Sequence, residues 1–398
     1  MKISVGVLFG GKSVEHEISV ISALQAIESI DTEKYDIVPI YITKQNRFFV
    51  GDAIGDIKEY KDISSLLKKS QQVVFVNDGK RVALIKYPAK AVKPVYAYID
   101  IAFPIVHGTN VEDGTLQGYL KMLNLPFVGC DVAASAVGMD KFVTKAVLKD
   151  AGIPVLEGYR YRSEMFRDDE NSVVSDIEAK LSYPMIIKPV NLGSSVGISV
   201  AHDREKLLES LNDAFTYSNT VLAEKAIMNL QEINCSVLGD ENDAEASECE
   251  EPLNGDEILS YENKYIGGGK GAKTSGSKGM ASLSRRIPAS ISDSEREYIR
   301  TIAVDSFKAL NCNGIVRIDF MVDRDTNTVY LNEVNTIPGS LSFYLWEPMG
   351  VSYKQLLNKL IELALKRKRI EAETTYSFDT NVLANASLGG SKGSKRKV

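Results

Sequence analysis

The sequence predicts an α/β protein of more than one domain, and three stretches carry that reading. Lys2 to Phe9 is a β-rich apolar run closed by Gly10-Gly11. Apolar residues at helical spacing (Val20, Ala23, Leu24, Ile27) and the strand DIVPIYIT follow it, which is the βαβ opening of an open α/β sheet. Further on, PMIIKPVNLGSSVGISVAHD reads strand, Gly/Ser loop, strand. Near the end, Gly314 to Gly339 reads as a hairpin, IVRIDFMV and VYLNEVNT joined through Asp323, Asp325, Thr326 and Asn327. With 398 residues, 44% of them hydrophobic, the chain is long enough for two or three domains with proper cores.

Composition narrows the function classes. Charged residues are 25% and the formal net charge is −6, a mild acidity that argues against a nucleic-acid partner or a membrane surface. The opening apolar run is too short to span a bilayer and carries no cleavage-site pattern, so it reads as a first strand. The four cysteines (Cys130, Cys235, Cys249, Cys312) are widely separated with no CxxC pair. Free thiols in a cytoplasmic protein fit that spacing better than zinc or a disulfide frame.

In the first domain the Gly-Gly turn is not a GxGxxG fingerprint, so a dinucleotide site is poorly supported. Glu15 and Glu17 fall in the first helical turn, where compensation of the helix dipole is reason enough for acidic residues. From Arg47 to about Tyr96, short strands (QQVVFV, RVALIKY) between charged loops read as an elaboration without visible chemistry. YIDIAFPIVHG is then a buried strand ending in His107, followed by the loop TNVEDGT and the helix LQGYLKML. A histidine leaving the carboxyl end of such a strand stands where open α/β sheets bind ligands, although a core histidine satisfied by backbone is equally ordinary.

The first domain boundary falls near Cys130, and DVAASAVGMDKFVTKAVLKDAGIPV reads as one helical segment ending at Gly152. Lys188 lies inside the apolar strand MIIKP and needs a partner there. The loop Gly193-Ser194-Ser195-Val196-Gly197 offers backbone N–H groups that can close on phosphate, though it is not a Walker A sequence. TVLAEKAI, QEINCSVLGD and AEASECEEPL read as further strands. Between Ile258 and Pro288 runs a long Gly/Ser/Lys-rich loop whose basic side chains (Lys264, Lys270, Lys273, Lys278, Arg285, Arg286) suit a lid over polyphosphate. A helix, SDSEREYIRTIAVDSFKAL, precedes the hairpin and VSYKQLLNKLIELALKRK closes the fold. From about Ile370 the composition turns to Ser, Gly, Asn and Lys, which reads as a disordered tail.

Alternation organises the hairpin. Side chains two apart on a strand share a face, so Arg317 with Asp319, and Glu333 with Asn335, point the same way. Antiparallel pairing brings these four onto one surface above an apolar layer of Ile318, Phe320 and Val334. Two carboxylates and an amide oxygen, with no Cys or His, are a hard-oxygen set suited to Mg²⁺ shared with substrate phosphates.

Taken together, GGKSVEHEIS, FPIVHGTNVEDGTLQG, MDKFVTK, IIKPVNLGSSVGIS, YENKY, RIDFMVD and LNEVNTIPG resemble, in order, the motifs of the D-alanine–D-alanine ligases of the ATP-grasp superfamily, up to about residue 368. The resemblance implies a three-domain ATP-grasp architecture: an N-terminal open α/β domain over 1–130, a central subdomain over 131–224, a C-terminal subdomain over 225–368, and a tail over 369–398. It implies a cytoplasmic homodimer that joins two D-alanines for peptidoglycan, using ATP and two Mg²⁺ ions, with Mn²⁺ as a substitute.

Site residues follow from the same resemblance. Lys141 and Lys188 would contact ATP phosphates, with Ser195 in the loop that closes on them. Glu224, with the backbone of Lys225 to Ile227, would form the adenine hinge, and Glu232 would hold the ribose. Asp319, Glu333 and Asn335 resemble the metal ligands. Glu15, aided by His107, would take the first D-alanine's ammonium, while Arg317 and the Gly339 N–H would hold the oxyanion. Ser194, Tyr265 and Glu15 resemble a hydrogen-bonded trio, and Lys264 precedes that tyrosine. One departure bears on the second substrate: where the family commonly reads Ser-His-Ser-Leu, this chain reads Ser342-Phe343-Tyr344-Leu345, so Tyr344 stands where a serine meets the acceptor carboxylate. Members that use lactate replace the tyrosine of the Lys-Tyr pair; Lys264-Tyr265 therefore argues for an amino acid. The alternatives are a D-serine or D-lactate acceptor, or a nucleotide-binding homologue without catalysis.

Overall fold

A computed structural model describes residues 2–89, 92–253, 284–377 and 381. Three sheets organise them. The expected opening is present as β1 (Ile3–Gly10), α1 (His16–Ser29) and β2 (Tyr35–Ile42). β1 pairs in parallel with β2 and, on its other side, with β7 (Ile101–Pro104). The elaboration after Arg47 does not form a separate unit. β3 (Phe48–Val50), β4 (Gln71–Asn77), β5 (Val82–Lys86) and β6 (Val95–Ile99) continue the same sheet antiparallel, with α2 (Ile63–Lys69) between β3 and β4, giving the order β6-β5-β4-β3-β2-β1-β7. Parallel strands at the centre read as solid apolar runs because both faces are covered; Val5, Val7, Leu8 and Phe9 are fully buried. α3 (Thr115–Met122) follows the loop after β7.

The segment read as one helix is two: α4 (Val132–Met139) and α5 (Lys141–Asp150). Asp140 separates them because its carboxylate accepts from the N–H groups of Phe142 and Val143, which starts a new helix there. That break aims Lys141 and Lys145, one turn apart, off a single face of α5. The second sheet, of order β10-β9-β11-β8, comprises β8 (Gly158–Arg162), β9 (Met185–Pro189), β10 (Ser199–Ala201) and β11 (Thr220–Lys225). α6 (Ser163–Asp168), α7 (Glu170–Lys180) and α8 (Arg204–Tyr217) belong to this unit, whose core holds Phe166, Ile177, Leu207 and Leu211.

The third sheet runs β14-β13-β12-β15-β16: β12 (Leu230–Gly239), β13 (Ala244–Pro252), β14 (Arg285–Arg286), β15 (Gly314–Asp323) and β16 (Thr328–Asn335). α9 (Asp293–Ala309) packs on β12 and β13. Phe320, Ile318, Val334 and Leu331 form the apolar layer beneath the hairpin, as alternation requires. Burying an aromatic ring of this kind contributes about 2–3 kcal/mol, and Phe320→Ala would break the layer. α10 (Tyr353–Ala372) closes the fold and starts at a capping box formed by Ser352 and Gln355. It continues through Ala372, three residues past the expected start of the tail at 369: Leu356, Leu360 and Leu363 pull the helix onto the core and its last turn carries on past them.

Candidate active site

One cavity is lined from all three sheets and their loops. Its floor is one face of the third sheet. Register places Glu333 opposite Asp319, Asp319 opposite Asn234, and Asn234 opposite Glu250, so one polar residue from each of four neighbouring strands forms a row across the sheet. Strands lie about 4.8 Å apart, and the row therefore crosses the width of the cavity. All four residues line it.

At the hairpin end Arg317 grips Asp319 with both Nε and Nη2, each at 2.7 Å. Asn335 Nδ2 donates to the same carboxylate at 3.0 Å. A bulge between Asp319 and Phe320 leaves one extra residue in β16, so that Asn332 and Glu333 both reach the cavity. Glu333 lies 3.2 Å from Lys141 Nζ, which also donates to Leu192 O at 2.7 Å. Burial pushes the Asp319 carboxyl upward, with Glu333 and Glu250 adding to the effect and Arg317 opposing it. Among the described residues no cluster of three His, Cys, Asp or Glu forms a metal cage. Two carboxylates and an amide fit Mg²⁺, which keeps several oxygens from water or phosphate rather than taking a full protein shell.

On the side of the second sheet Lys188 Nζ pairs with Glu224 at 2.6 Å and donates to Asn332 Oδ1 at 3.2 Å. Glu224 is buried, and its second oxygen is bonded by Lys145. The two lysines hold the Glu224 carboxyl below the usual range although burial alone would raise it. Glu232 lines the cavity, whereas Glu224, Lys225 and Ile227 do not. Lys145 had escaped the sequence reading; its spacing of four from Lys141 on a helix was the available signal.

The first unit reaches the cavity with Glu15 and His107. Glu15 sits at the start of α1 and accepts a hydrogen bond from Ser194 Oγ, which joins the Gly/Ser loop to the first sheet's unit. A Cβ at Gly193 would stand 2.8 Å from Glu15 Oε2, and one at Gly108 would meet the same oxygen at 2.8 Å, so only glycine admits the carboxylate between them. The third member of the expected trio, Tyr265, and its neighbour Lys264 lie outside the described residues. His107 is held through Nδ1 by Ile337 O at 2.8 Å and through Nε2 by Ser22 Oγ at 3.1 Å. Burial pushes its pKa down to about 4, so the ring is neutral at pH 7.

Beside it lies a residue the sequence reading passed over. Glu112 is buried and accepts from Gly108 N at 2.9 Å and Ile337 N at 2.8 Å, tying the loop after β7 to the end of β16. Burial, opposed by these N–H groups and reinforced by Glu15, raises its pKa to about 7. Its place in the polar loop TNVEDGT, two residues before Gly114, gives no hint of burial.

Gly339 lines the cavity and opens a turn in which Ser340, Leu341 and Ser342 all adopt left-handed φ (51°, 51° and 48°). Ser194 and Ser195 do likewise at 55° and 59°. Non-glycine residues held in that region cluster at functional sites because their neighbours must enforce the strain. Tyr344 and Leu345 are buried and stand behind the cavity wall. The Tyr344 ring carries the Arg285 guanidinium 3.9 Å from its centroid, and its hydroxyl donates to Glu250 Oε1 at 3.3 Å. Arg285 in turn pairs with Glu250 at 2.8 Å, and both of these line the cavity.

Residues 4–130 match the family model "D-ala D-ala ligase N-terminus", and residues 147–362 match "D-ala D-ala ligase C-terminus". The chain belongs to the D-alanine–D-alanine ligase family. Over 381 residues it is 39% identical to the D-alanine–D-alanine ligase of Thermosipho melanesiensis, covering 96% of this chain and 98% of that one. With the ligase of Oceanobacillus iheyensis the identity is 40% over 383 residues, 95% and 99% of the two chains. Among solved structures, the D-alanine–D-alanine ligase from Coxiella burnetii superposes with a TM-score of 0.74 at 31% identity, over 93% of this chain and 96% of that one. VanG D-Ala:D-Ser ligase from Enterococcus faecalis gives the same TM-score and identity over 92% and 100%. The three-sheet α/β architecture is accordingly that of the ATP-grasp ligases. Among the described residues no helix is long and apolar enough to cross a membrane.

Proposed function

We propose that this protein joins two D-alanines into D-alanyl-D-alanine, with ATP cleaved to ADP and phosphate, as a cytoplasmic homodimer supplying peptidoglycan synthesis. The observation that carries the proposal is the meeting of the Glu15–Ser194 pair, Lys141, Lys188, Arg317 and the Asp319–Glu333–Asn335 patch around one cavity.

The chemistry follows from what a carboxylate lacks. It is a poor electrophile, so the first D-alanine is activated as an acyl phosphate before the second amine attacks. Glu15 takes the ammonium of the first D-alanine, beside a neutral His107 that adds no competing charge. Lys141 and Lys188 offset charge on the transferring phosphoryl group. Asp319, Glu333 and Asn335 would hold Mg²⁺, which would supply positive charge to offset that of the transferring phosphoryl group. Arg317, its plane fixed by Asp319, and the Gly339 N–H stabilise the oxyanion formed when the amine adds. Acyl phosphates hydrolyse, so the site has to exclude water; most of the basic stretch expected as a lid, residues 258–288, lies outside the described residues.

ADP release measured with pairs of D- and L-amino acids, D-serine and D-lactate tests the proposal. D-alanine alone should support turnover, and L-alanine should not. Preferred release with D-serine as acceptor would assign the second reading, which the similarity to a D-Ala:D-Ser ligase favours. Light scattering at working concentration checks the dimer.

A further inference from the structure

Three lysines approach the nucleotide end of the cavity, but only Lys141 and Lys188 line it. Lys145 lies behind them, with 6% of its side chain exposed, against a Glu224 side chain of which 2% is exposed. Glu224 is bonded on one oxygen by Lys145 and on the other by Lys188 at 2.6 Å. A single buried carboxylate is thus shared between a cation that faces the cavity and one that does not.

The sharing has an energetic consequence. A buried carboxylate stripped of its partner is strongly destabilised, so a lone cation beside it would be held there. With two cations, one can turn to another anion while the carboxylate stays paired. We propose that Lys145 is a positioning residue for the nucleotide: the standing counter-ion of Glu224, which releases Lys188 to a polyphosphate. This rests on the ATP-dependent reading above and adds to it a residue that touches no substrate. The charged groups facing Lys145 are Glu224 from β11, Lys188 from β9 and Lys141 from its own helix. Burial, followed by repulsion from Lys188, lowers its pKa to about 8. Deprotonation above that pH would mimic its removal.

The test compares steady-state kinetics of Lys145→Met, Lys145→Arg and the wild type, varying ATP and D-alanine separately. Lys145→Met should raise KM for ATP about tenfold or more, with KM for D-alanine within twofold of wild type. Lys145→Arg should restore KM for ATP. In the wild type KM for ATP should climb above pH 8, whereas in Lys145→Met it should be high throughout. Adding Glu224→Gln to Lys145→Met removes the carboxylate that needed the counter-ion, so the double variant should match Glu224→Gln alone. An unchanged KM for ATP in Lys145→Met, an equal rise in both KM values, or strictly additive losses in the double variant would overturn the proposal. Should Lys145→Met fail to fold, the Lys145→Arg pH profile decides: its KM for ATP must stay flat past pH 8. A wild type that binds ATP by calorimetry yet makes no ADP with D-alanine would instead overturn the ligase reading, and ATP affinity in the same variants would still test Lys145.

Discussion

Ser194 and Glu15, 179 positions apart, are joined by a hydrogen bond that fastens the Gly/Ser loop of the second unit to the first helix of the chain. The Glu15 carboxylate lies in the crevice between Gly193 and Gly108, where a methyl group at either position would meet it at 2.8 Å.

Gly193→Ala should therefore displace Glu15 without unfolding the protein, since the obstructed atom is the end of a flexible side chain. The expected result is a loss of about 10²-fold in kcat/KM, a size typical of 1 Å misplacement, with a melting temperature within about 2 °C of wild type. Retained activity would mean that the Ser194–Glu15 bond is dispensable.

Glu112 makes the pH dependence of stability predictable. Its carboxyl is raised from 4.5 to about 7 in the folded protein. A raised pKa contributes stability that is fully present below the unfolded value and is lost as pH rises through the folded one. Glu112→Gln should thus gain on the wild type between about pH 4.5 and 7, by at most about 3 kcal/mol for a shift of this size. His107, lowered to about 4, acts in the opposite sense and weakens the fold on acidification from 6.5. Urea unfolding of wild type and variant at pH 5 and pH 8 separates the two, because His107 is common to both.

Loss of a proposed metal ligand should be read through the metal. Glu333→Gln is expected to keep the fold, raise the Mg²⁺ concentration needed for half-maximal activity, and cut turnover by several orders of magnitude, since such ligands contribute several kcal/mol at a phosphoryl-transfer site. Near-normal ADP formation at low Mg²⁺ would remove Glu333 from the metal site. Because Lys141 also leans on Glu333, KM for ATP should rise in the same variant.

On the proposed reading Tyr344 shapes the acceptor site through Arg285, which lies over its ring. Tyr344→Phe keeps the ring beneath the guanidinium and loses only the bond to Glu250, so acceptor KM should change little. Tyr344→Ser removes the ring, and a cation–π contact of about 1–2 kcal/mol with it. Acceptor KM should then rise roughly five- to thirtyfold and larger D-amino acids should gain on D-alanine. Identical acceptor preferences in Tyr344→Ser and wild type would show that this wall does not shape the pocket.

Much of this was legible in the sequence where geometry is local. The βαβ opening, the Gly/Ser loop and the hairpin follow from periodicity, and Arg317, Asp319, Glu333 and Asn335 share a face because strand alternation allows no other arrangement. What the sequence could not display is the partner of a buried charge. Lys188 plainly needed one, yet nothing local singled out Glu224, 36 positions on, or the shared Lys145. Tyr344 was expected to face the acceptor; which side of a strained turn a ring occupies depends on Arg285 and Glu250, brought there by other strands. Asp140 hid its role because an N-cap within a continuous apolar pattern looks like one more helical residue.

The bulge at Asn332 and Glu333 acts on the hairpin as a ratchet tooth. On its turn side the half-exposed residues of β16 are Thr328, Tyr330 and Asn332; beyond it they are Glu333 and Asn335. Sliding the strand by one residue would drive Glu333 toward the Phe320 layer and put Val334 over the cavity, a cost no turn rearrangement offsets. Lys188 grips the same tooth through Asn332. Wear at the far turn, around Asp325 and Asn327, therefore stops before it reaches the chemistry: loop length there can drift while the carboxylates keep their spacing.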